Sequence, residues 1–536
     1  MTVVPPLTRA PDHPPAHSGT RPRTRSLGRP LLLTGGVRAA ARRAPDKVAL
    51  RQGRRRRTYG DLIAAMDRVA AYGLSLGLQN GDHAALIAPN CLEYMEIVGG
   101  LSDIGVAVAT PSYRLTASEL TAILLDCGAK LVIIDAATRD RVDLLSGLPG
   151  HVTVATVADV ADFAGPVGLV DGPVDEGQAF AIPYTSGTTG APKGVMISHR
   201  ARVMTFYGMA AEYGCFGPDC HFLAIAPLCH GAGFAFGFAP LFFGGTVEVM
   251  EKFDAETVLA RLHEGGFDGV FMVPTHFRAI FDLDADVLAR YHGHDLSAII
   301  SNAAPLPQTM KEKIVAYFGQ GLLHETYGST EAGIVTNLRP VDQLRKTACV
   351  GLPFPATEVR LLDDAGQPVP AGEPGELFAR GPSLFNGYWQ RPDADAETIV
   401  DGWVTVGDIA VADDEGYIHI IDRKKDMILS GGLNIYPKEV ETVINRLPGV
   451  AESAVIGVPD DHWGEAVRAC VVLAPVNAGD ARDARDAGDA VTADTVIAAC
   501  REALAGFKVP RSVVFLDALP RNAGGKILRR ALRDAG

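Results

Sequence analysis

Along most of this chain, short apolar runs alternate with longer segments of helical period, and that alternation restricts the fold more than any other feature. HAALIA (83–88), KLVIID (130–135) and GVFMVP (269–274) carry apolar residues at successive positions. A strand written this way is covered on both faces, whereas a half-exposed strand alternates apolar with polar. Tyr59–Leu78 (YGDLIAAMDRVAAYGLSLGL) instead has the 3.6-residue period of an amphipathic helix. Strands and helices in turn predict an α/β protein with largely parallel, doubly covered sheets. The 536 residues, 47% hydrophobic and 21% charged, provide about three or four domains' worth of buried core.

Charge excludes some function classes. Fifty Lys and Arg against 63 Asp and Glu leave a formal charge of −13, the wrong sign for a protein that tracks nucleic-acid phosphates. Four consecutive arginines, Arg54 to Arg57, follow a glycine between a short strand (KVAL) and a helix start. A solvated hairpin turn accounts for them better than a localisation or nucleic-acid signal. From Phe222 to Val247 no residue is formally charged, which is long enough to span a bilayer. Pro227, Pro240, five glycines and His230 within it make a poor lipid-facing helix. We therefore expect a buried helix and strands around an apolar cavity, and no transmembrane segment.

The first 30 residues hold seven Pro and five Arg without an apolar run, the composition of a disordered tail (1–30) rather than a secretory signal. The eight cysteines show no CxxC pair and no Cys/His spacing for zinc. They read as reduced core residues of a cytoplasmic protein. Composition shifts around 420–432, where IIDRKKDMILSGG packs five charges ahead of Gly-Gly. A large N-terminal part is expected to end near residue 421, with a smaller domain after it. Inside that domain NAGDARDARDAGDA (477–490) lacks apolar periodicity and reads as an exposed loop, between a strand (RACVVLAPV) and a helix beginning near Thr492.

The strongest chemical signal is YTSGTTGAPKGV, residues 184–195. It places four hydroxyls (Thr185, Ser186, Thr188, Thr189), three glycines (Gly187, Gly190, Gly194) and Lys193 in one short loop after an apolar strand. Glycines let backbone N–H groups approach an anion and hydroxyls add donors, which suits phosphate. The Walker pattern does not fit. Counting from Gly187, its second glycine would fall on Pro192, and Lys193 is followed by Gly194.

This loop resembles the signature of the adenylate-forming enzymes: acyl-CoA synthetases, peptide-synthetase adenylation domains and luciferases. Further motifs follow in that family's order: PLCHGAG (227–233), SNAAPLP (301–307), YGSTEAG (327–333), GEL (375–377), GWVTVGD (402–408), DRKKDMILSGGLNIYPKEVE (422–441) and PRNAGGKILR (520–529). The resemblance covers about residues 31–533. It implies a large N-terminal adenylation domain (31–421) of α/β subdomains plus a β-barrel-like subdomain. A hinge at 422–426 and a small mobile C-terminal α+β domain (427–536) would complete it.

Enzymes of this kind join a carboxylate to the α-phosphate of ATP, release pyrophosphate and pass the acyl group to a thiol. Two anions must meet, so cations, a metal and fixed orientation are needed. By resemblance Thr185 to Lys193, including Gly187 and Gly190, would hold the β- and γ-phosphates. Asn302, Ala303, Ala304 and Gly328 would line the nucleotide site, with Ala303 also at the acid site, Tyr327 would stack on adenine, and Thr330 would donate to phosphate. Glu331 would bind Mg2+, a hard oxygen ligand for a hard cation. Asp408 would accept from both ribose hydroxyls, with Arg423 as a second ribose contact and Lys425 at the hinge. Val406 stands where the motif usually has Thr, which leaves Asp408 in place.

Lys526 would be the catalytic lysine, neutralising the approach of carboxylate to phosphate. Gly431 and Gly432 would border the tunnel for the thiol of coenzyme A, although Leu433 replaces a frequent Glu. His230, Gly231, Ala232, Gly233, Phe234 and Ala303 would form the acid pocket, with His230 orienting the carboxylate or gating the thiol; a core histidine is the alternative reading. Amino-acid-activating relatives place an Asp after this motif. Here GAGFAFGFAP (231–240) has no acid, so a non-amino acid, fatty or aryl, is expected. The alternatives are a stand-alone module loading a carrier protein and a related scaffold acting on another adenylated anion.

Overall fold

The structure, a computed structural model, describes residues 30–135, 147–166, 174–186, 192–430, 433–460, 463–474, 491–521 and 527–534. Almost all of the expected tail (1–29) and the expected inserted loop (477–490) lie outside the described residues. The chain divides into two compact units. One comprises Met1–Val359 and Phe378–Val406, the other Arg360–Leu377 and Gly407–Gly536.

The larger unit contains two sheets of the expected kind. In the first, nine strands run in the order Leu352–Pro353, Gly333–Leu338, Leu323–Ser329, Ala298–Ser301, Gly269–Met272, His221–Ala224, Thr246–Val249, Val48–Gln52 and Arg55–Thr58. Its six central strands are mutually parallel, and antiparallel pairing is confined to the edges. The second has six strands, with His83–Ile87 between the parallel neighbours Ala107–Ala109 and Leu131–Ile134. The central strands are buried at every position except His83 at the start of one of them, as their unbroken apolar runs require.

Local chemistry sets the helix ends. Tyr59–Ser75 starts at a capping box in which Asp61 N donates to Thr58 Oγ1 (3.1 Å) and Thr58 N donates to the Asp61 carboxylate (2.9 Å). The uncharged stretch becomes the strand His221–Ala224, the helix Gly231–Phe243 and the strand Thr246–Val249. That helix is buried nearly throughout and stacks Phe236 on Phe271, with centroids 4.3 Å apart. Among the described residues no helix is long and apolar enough to cross a membrane.

One expectation needs refining. The arginine run does lie in a hairpin with Arg54 to Arg56 exposed, but the turn itself is only Gly53–Arg54, and Arg55–Thr58 is an edge strand. Arg55 and Arg57 pair with Glu93, and Arg57 Nε also donates to Glu96 (2.9 Å), two carboxylates buried on the helix Leu92–Asp103. Nothing local in the sequence reveals that the acids of that helix need cations from a strand some forty residues away.

The smaller unit is an α+β body. Val450–Asp460 and Gly464–Leu473 form a long antiparallel hairpin, flanked by Ile428–Ser430 and Leu433–Ile435 on one side, and Ser512–Phe515 pairs with it in parallel. Helices Pro437–Ile444 and Ala493–Ala503 supply the rest of its core, with Val440, Ile444, Val496 and Cys500 fully buried. Thr492 caps the second helix, where the sequence places its start.

Candidate active site

The loop of hydroxyls and glycines leaves and re-enters the fold through a two-stranded hairpin, Tyr184–Ser186 against Pro192–Gly194, with Thr185 opposite Lys193. Gly187, Thr188, Thr189 and Gly190 lie outside the described residues, as does the side chain of Ser186. The hairpin is anchored at its base. Tyr184 Oη donates to Asp126 (2.7 Å), which also pairs with Arg391, and Trp389 N donates to the Gly194 carbonyl (2.8 Å). Burial and this carboxylate together raise the Tyr184 pKa, so the phenol stays a donor.

Lys193 and Glu331 meet on one tyrosine. The Lys193 ammonium lies 5.0 Å from the ring centroid of Tyr388, whose hydroxyl donates to Glu331 Oε1 at 2.9 Å. Phe385 N donates to the Glu331 carbonyl (2.9 Å), so the segment 385–389 holds both sides of the site. Glu331 is buried. Burial and then Glu331 raise the Tyr388 pKa, keeping its proton in that bond. No sequence motif singled out Tyr388; its only signal is the cluster FNGYWQRP (385–392), which has no period to interpret.

Around them the chain turns sharply. Asn302 Nδ2 donates to Thr326 Oγ1 (2.6 Å), and the Ala303 amide bonds the Asn302 side chain. Ala303 has φ 77°, a left-handed conformation that costs a residue with a Cβ about 1–2 kcal/mol. Ala303 and Ala304 are exposed, Tyr327 and Thr330 half-buried. A Cβ on Gly328 would lie 2.0 Å from the Gly333 carbonyl oxygen, so this hairpin admits only glycine there. Beneath the Asn302 loop the buried ion pair Lys311–Glu325 also accepts the Leu306 amide (3.2 Å).

His230 caps the helix Gly231–Phe243 at the mouth of a narrow cleft, lined also by Gly231 and Phe234. Its surface is partly exposed, yet the surrounding protein, and secondarily Arg114, lowers its pKa. A neutral imidazole that can accept a proton or a hydrogen bond is the result. Gly233 is buried, and a Cβ on it would lie 2.1 Å from the Pro227 carbonyl oxygen; close packing of the helix start requires it. All eight cysteines are free, so Cys215 and Cys220 form no bridge.

In the smaller unit Asp408 and Arg423 face each other across neighbouring strands, Arg423 Nε 3.1 Å from Asp408 Oδ1. Asp408 is buried and Arg423 half-buried. Lys425 is exposed, while its neighbour Lys424 is tied to Asp364 (2.9 Å) and Glu376 (3.0 Å). Gly431, Gly432 and Lys526 lie outside the described residues. The residues flanking the lysine segment, Arg521 and Ile527, form an antiparallel bridge, and Arg529 ties it to Glu441 (2.7 Å) and Asp426 (3.4 Å). Among the described residues no three His, Cys, Asp or Glu side chains group to hold a metal. A single buried carboxylate beside a phosphate cradle nevertheless fits Mg2+, which completes its octahedron with water and phosphate oxygens.

The hairpin with Lys193 and the buried carboxylate of Glu331, joined by Tyr388, is the kind of anion site a ligase of the adenylate-forming class needs. The chain belongs to the AMP-binding enzyme family: that family's model matches residues 37–389, and the model for the AMP-binding enzyme C-terminal domain matches 439–526. The feruloyl-CoA synthase of Amycolatopsis sp is 36% identical over 500 residues, 92% of this chain and 96% of that protein. The 2-succinylbenzoate–CoA ligase of Geobacillus kaustophilus is 34% identical over 91% of this chain and 95% of its own. Among solved structures, the o-succinylbenzoate CoA synthetase of Bacillus subtilis with its acyl-adenylate intermediate superposes with a TM-score of 0.82 at 27% identity, covering 94% of this chain and 98% of that one.

Proposed function

We propose that this protein is an AMP-forming acid–thiol ligase that activates a non-amino carboxylic acid with ATP and transfers the acyl group to coenzyme A. In the first step a carboxylate oxygen attacks the α-phosphorus, the bond to the β-phosphate breaks and pyrophosphate leaves. In the second, the thiol attacks the acyl carbon and AMP leaves. The junction Lys193–Tyr388–Glu331 carries this reading, because it sets a cation for phosphate and a carboxylate for Mg2+ on one rigid side chain.

Mg2+ bound at Glu331 would neutralise phosphate charge. The chain's own groups do the rest: Lys193 and the hairpin amides hold phosphate, Asp408 and Arg423 hold ribose, and Lys526 meets the developing charge at the carboxylate. Neutral His230 is placed to orient the acid. We assign residues 31–421, 422–426 and 427–536 to adenylation domain, hinge and mobile domain. A cytoplasmic location belongs to the same proposal, supported by eight free cysteines. A carrier-protein thiol is the alternative acceptor, since the adenylation chemistry would be identical. A pyrophosphate-release screen over fatty, aryl and dicarboxylic acids, with and without CoA, tests the reading. Acid-dependent release followed by CoA-dependent thioester supports it; acylation of a carrier-protein phosphopantetheine with no turnover of CoA would replace it.

A further inference from the structure

The cleft beside His230 contains a cation that the reaction above leaves unused. Arg202 lies in the first turn of the helix His199–Tyr213 and lines the cleft with Val98, Thr110, Phe180, His230 and Phe234. None of these carries a negative charge, and the stretch Phe222–Val247 that supplies His230 and Phe234 has no charged residue. Arg202 as a whole is half-buried, but its Nε is sealed from solvent and donates to no acceptor among the described residues. Desolvation lowers the guanidinium pKa to about 10, with no carboxylate opposing it. Its neighbour Arg200, by contrast, pairs with Glu176 at 2.8 Å.

One further feature raises the cost of this charge. The first turn of the helix has no acidic residue, so Arg202 sits at the positive end of the helix dipole. A buried charge without a partner is destabilising, so it persists where a ligand supplies the partner. The cleft now holds about 10 Å3, roughly one water. A larger group would have to displace the Arg202 and Phe234 side chains that line the cleft.

We propose that Arg202 is a specificity-determining residue that binds a second carboxylate, so that the acid activated by this enzyme is a dicarboxylate. One carboxylate reacts with ATP, and the distal one forms a bidentate pair with the guanidinium. This rests on the ligase reading of the site. Guanidinium and carboxylate exchange no atoms; the step is binding alone.

The test compares succinic to sebacic acids, each against the monocarboxylic acid of equal chain length, in wild type and Arg202→Met. Wild type favours the best diacid in kcat/KM by about a hundredfold, and Arg202→Met reverses the preference, losing diacid turnover by a similar factor. A wild-type preference for monoacids, or a loss shared equally by both acids, overturns the proposal. Thermal-shift titration with the diacid alone gives a readout independent of turnover. Arg202-dependent binding without activation keeps the site and sinks the ligase reading; monoacid turnover with no Arg202 dependence does the reverse. Ligand-free Arg202→Met melts at or above the wild-type temperature, since an uncompensated charge has gone. A pronounced drop would make Arg202 a structural residue and overturn the assignment.

Discussion

Three residues show how a side chain's surroundings, rather than its type, set its role. Glu331 is one acid among 63 acidic residues, yet it is buried against Tyr388. Glu331→Ala should raise the Mg2+ concentration for half-maximal pyrophosphate release by about tenfold or more; wild-type behaviour at limiting Mg2+ would remove its metal role. Lys311 is paired with Glu325 under the Asn302 loop, both almost fully buried. Lys311→Met strands that carboxylate and should cost about 3–5 kcal/mol in urea unfolding. The double variant Lys311→Met/Glu325→Leu should recover most of it, and failure to recover would deny the coupling. His276, stacked 4.1 Å from Phe253, is held neutral by burial, its pKa lowered to about 4. The unfolded ring titrates near 6.5, so the unfolded chain takes the proton first. This contribution to stability is complete above about pH 6.5 and is lost as pH falls towards 4. His276→Phe should therefore show a shallower fall in urea midpoint across that window; parallel curves would reject the assignment.

At the scale of elements, the readable features were those with a local cause. The covered strands, the helix from Tyr59 and the helix start near Thr492 follow from short-range periods and local hydrogen bonds. The ion pairs of the arginine run were not legible because its partners, Glu93 and Glu96, lie on another element. The helix Gly231–Phe243 illustrates both cases. Its burial was legible from the absence of charge, but the need for glycine at 233 came from a carbonyl of the preceding turn. Gly233→Ala should lower stability by about 1–3 kcal/mol, measured as a fall in melting temperature. An unchanged melting temperature would mean that the backbone there can yield.

At the scale of the molecule, the reaction is expected to need both compact units, with Lys526 serving only the first chemical step. Lys526→Ala should abolish acid-dependent pyrophosphate release while still forming thioester from supplied acyl-adenylate; equal loss of both steps would reject a role confined to adenylation. The net −13 charge gave no hint of an anionic substrate, because local cations and backbone amides, not the total, decide binding. The alternation of covered strands and helices, the loop of hydroxyls and glycines and the free state of the cysteines were legible in the sequence alone. Each depends on neighbours within a few residues or on composition. Tertiary structure alone decided that Tyr388 joins Lys193 to Glu331, that Ala303 takes a left-handed turn and that Arg202 has no counter-charge among the described residues. Periodicity reports which face of an element is buried. Which groups then meet there, and which cation is left without an anion, depends on contacts between segments far apart in the chain.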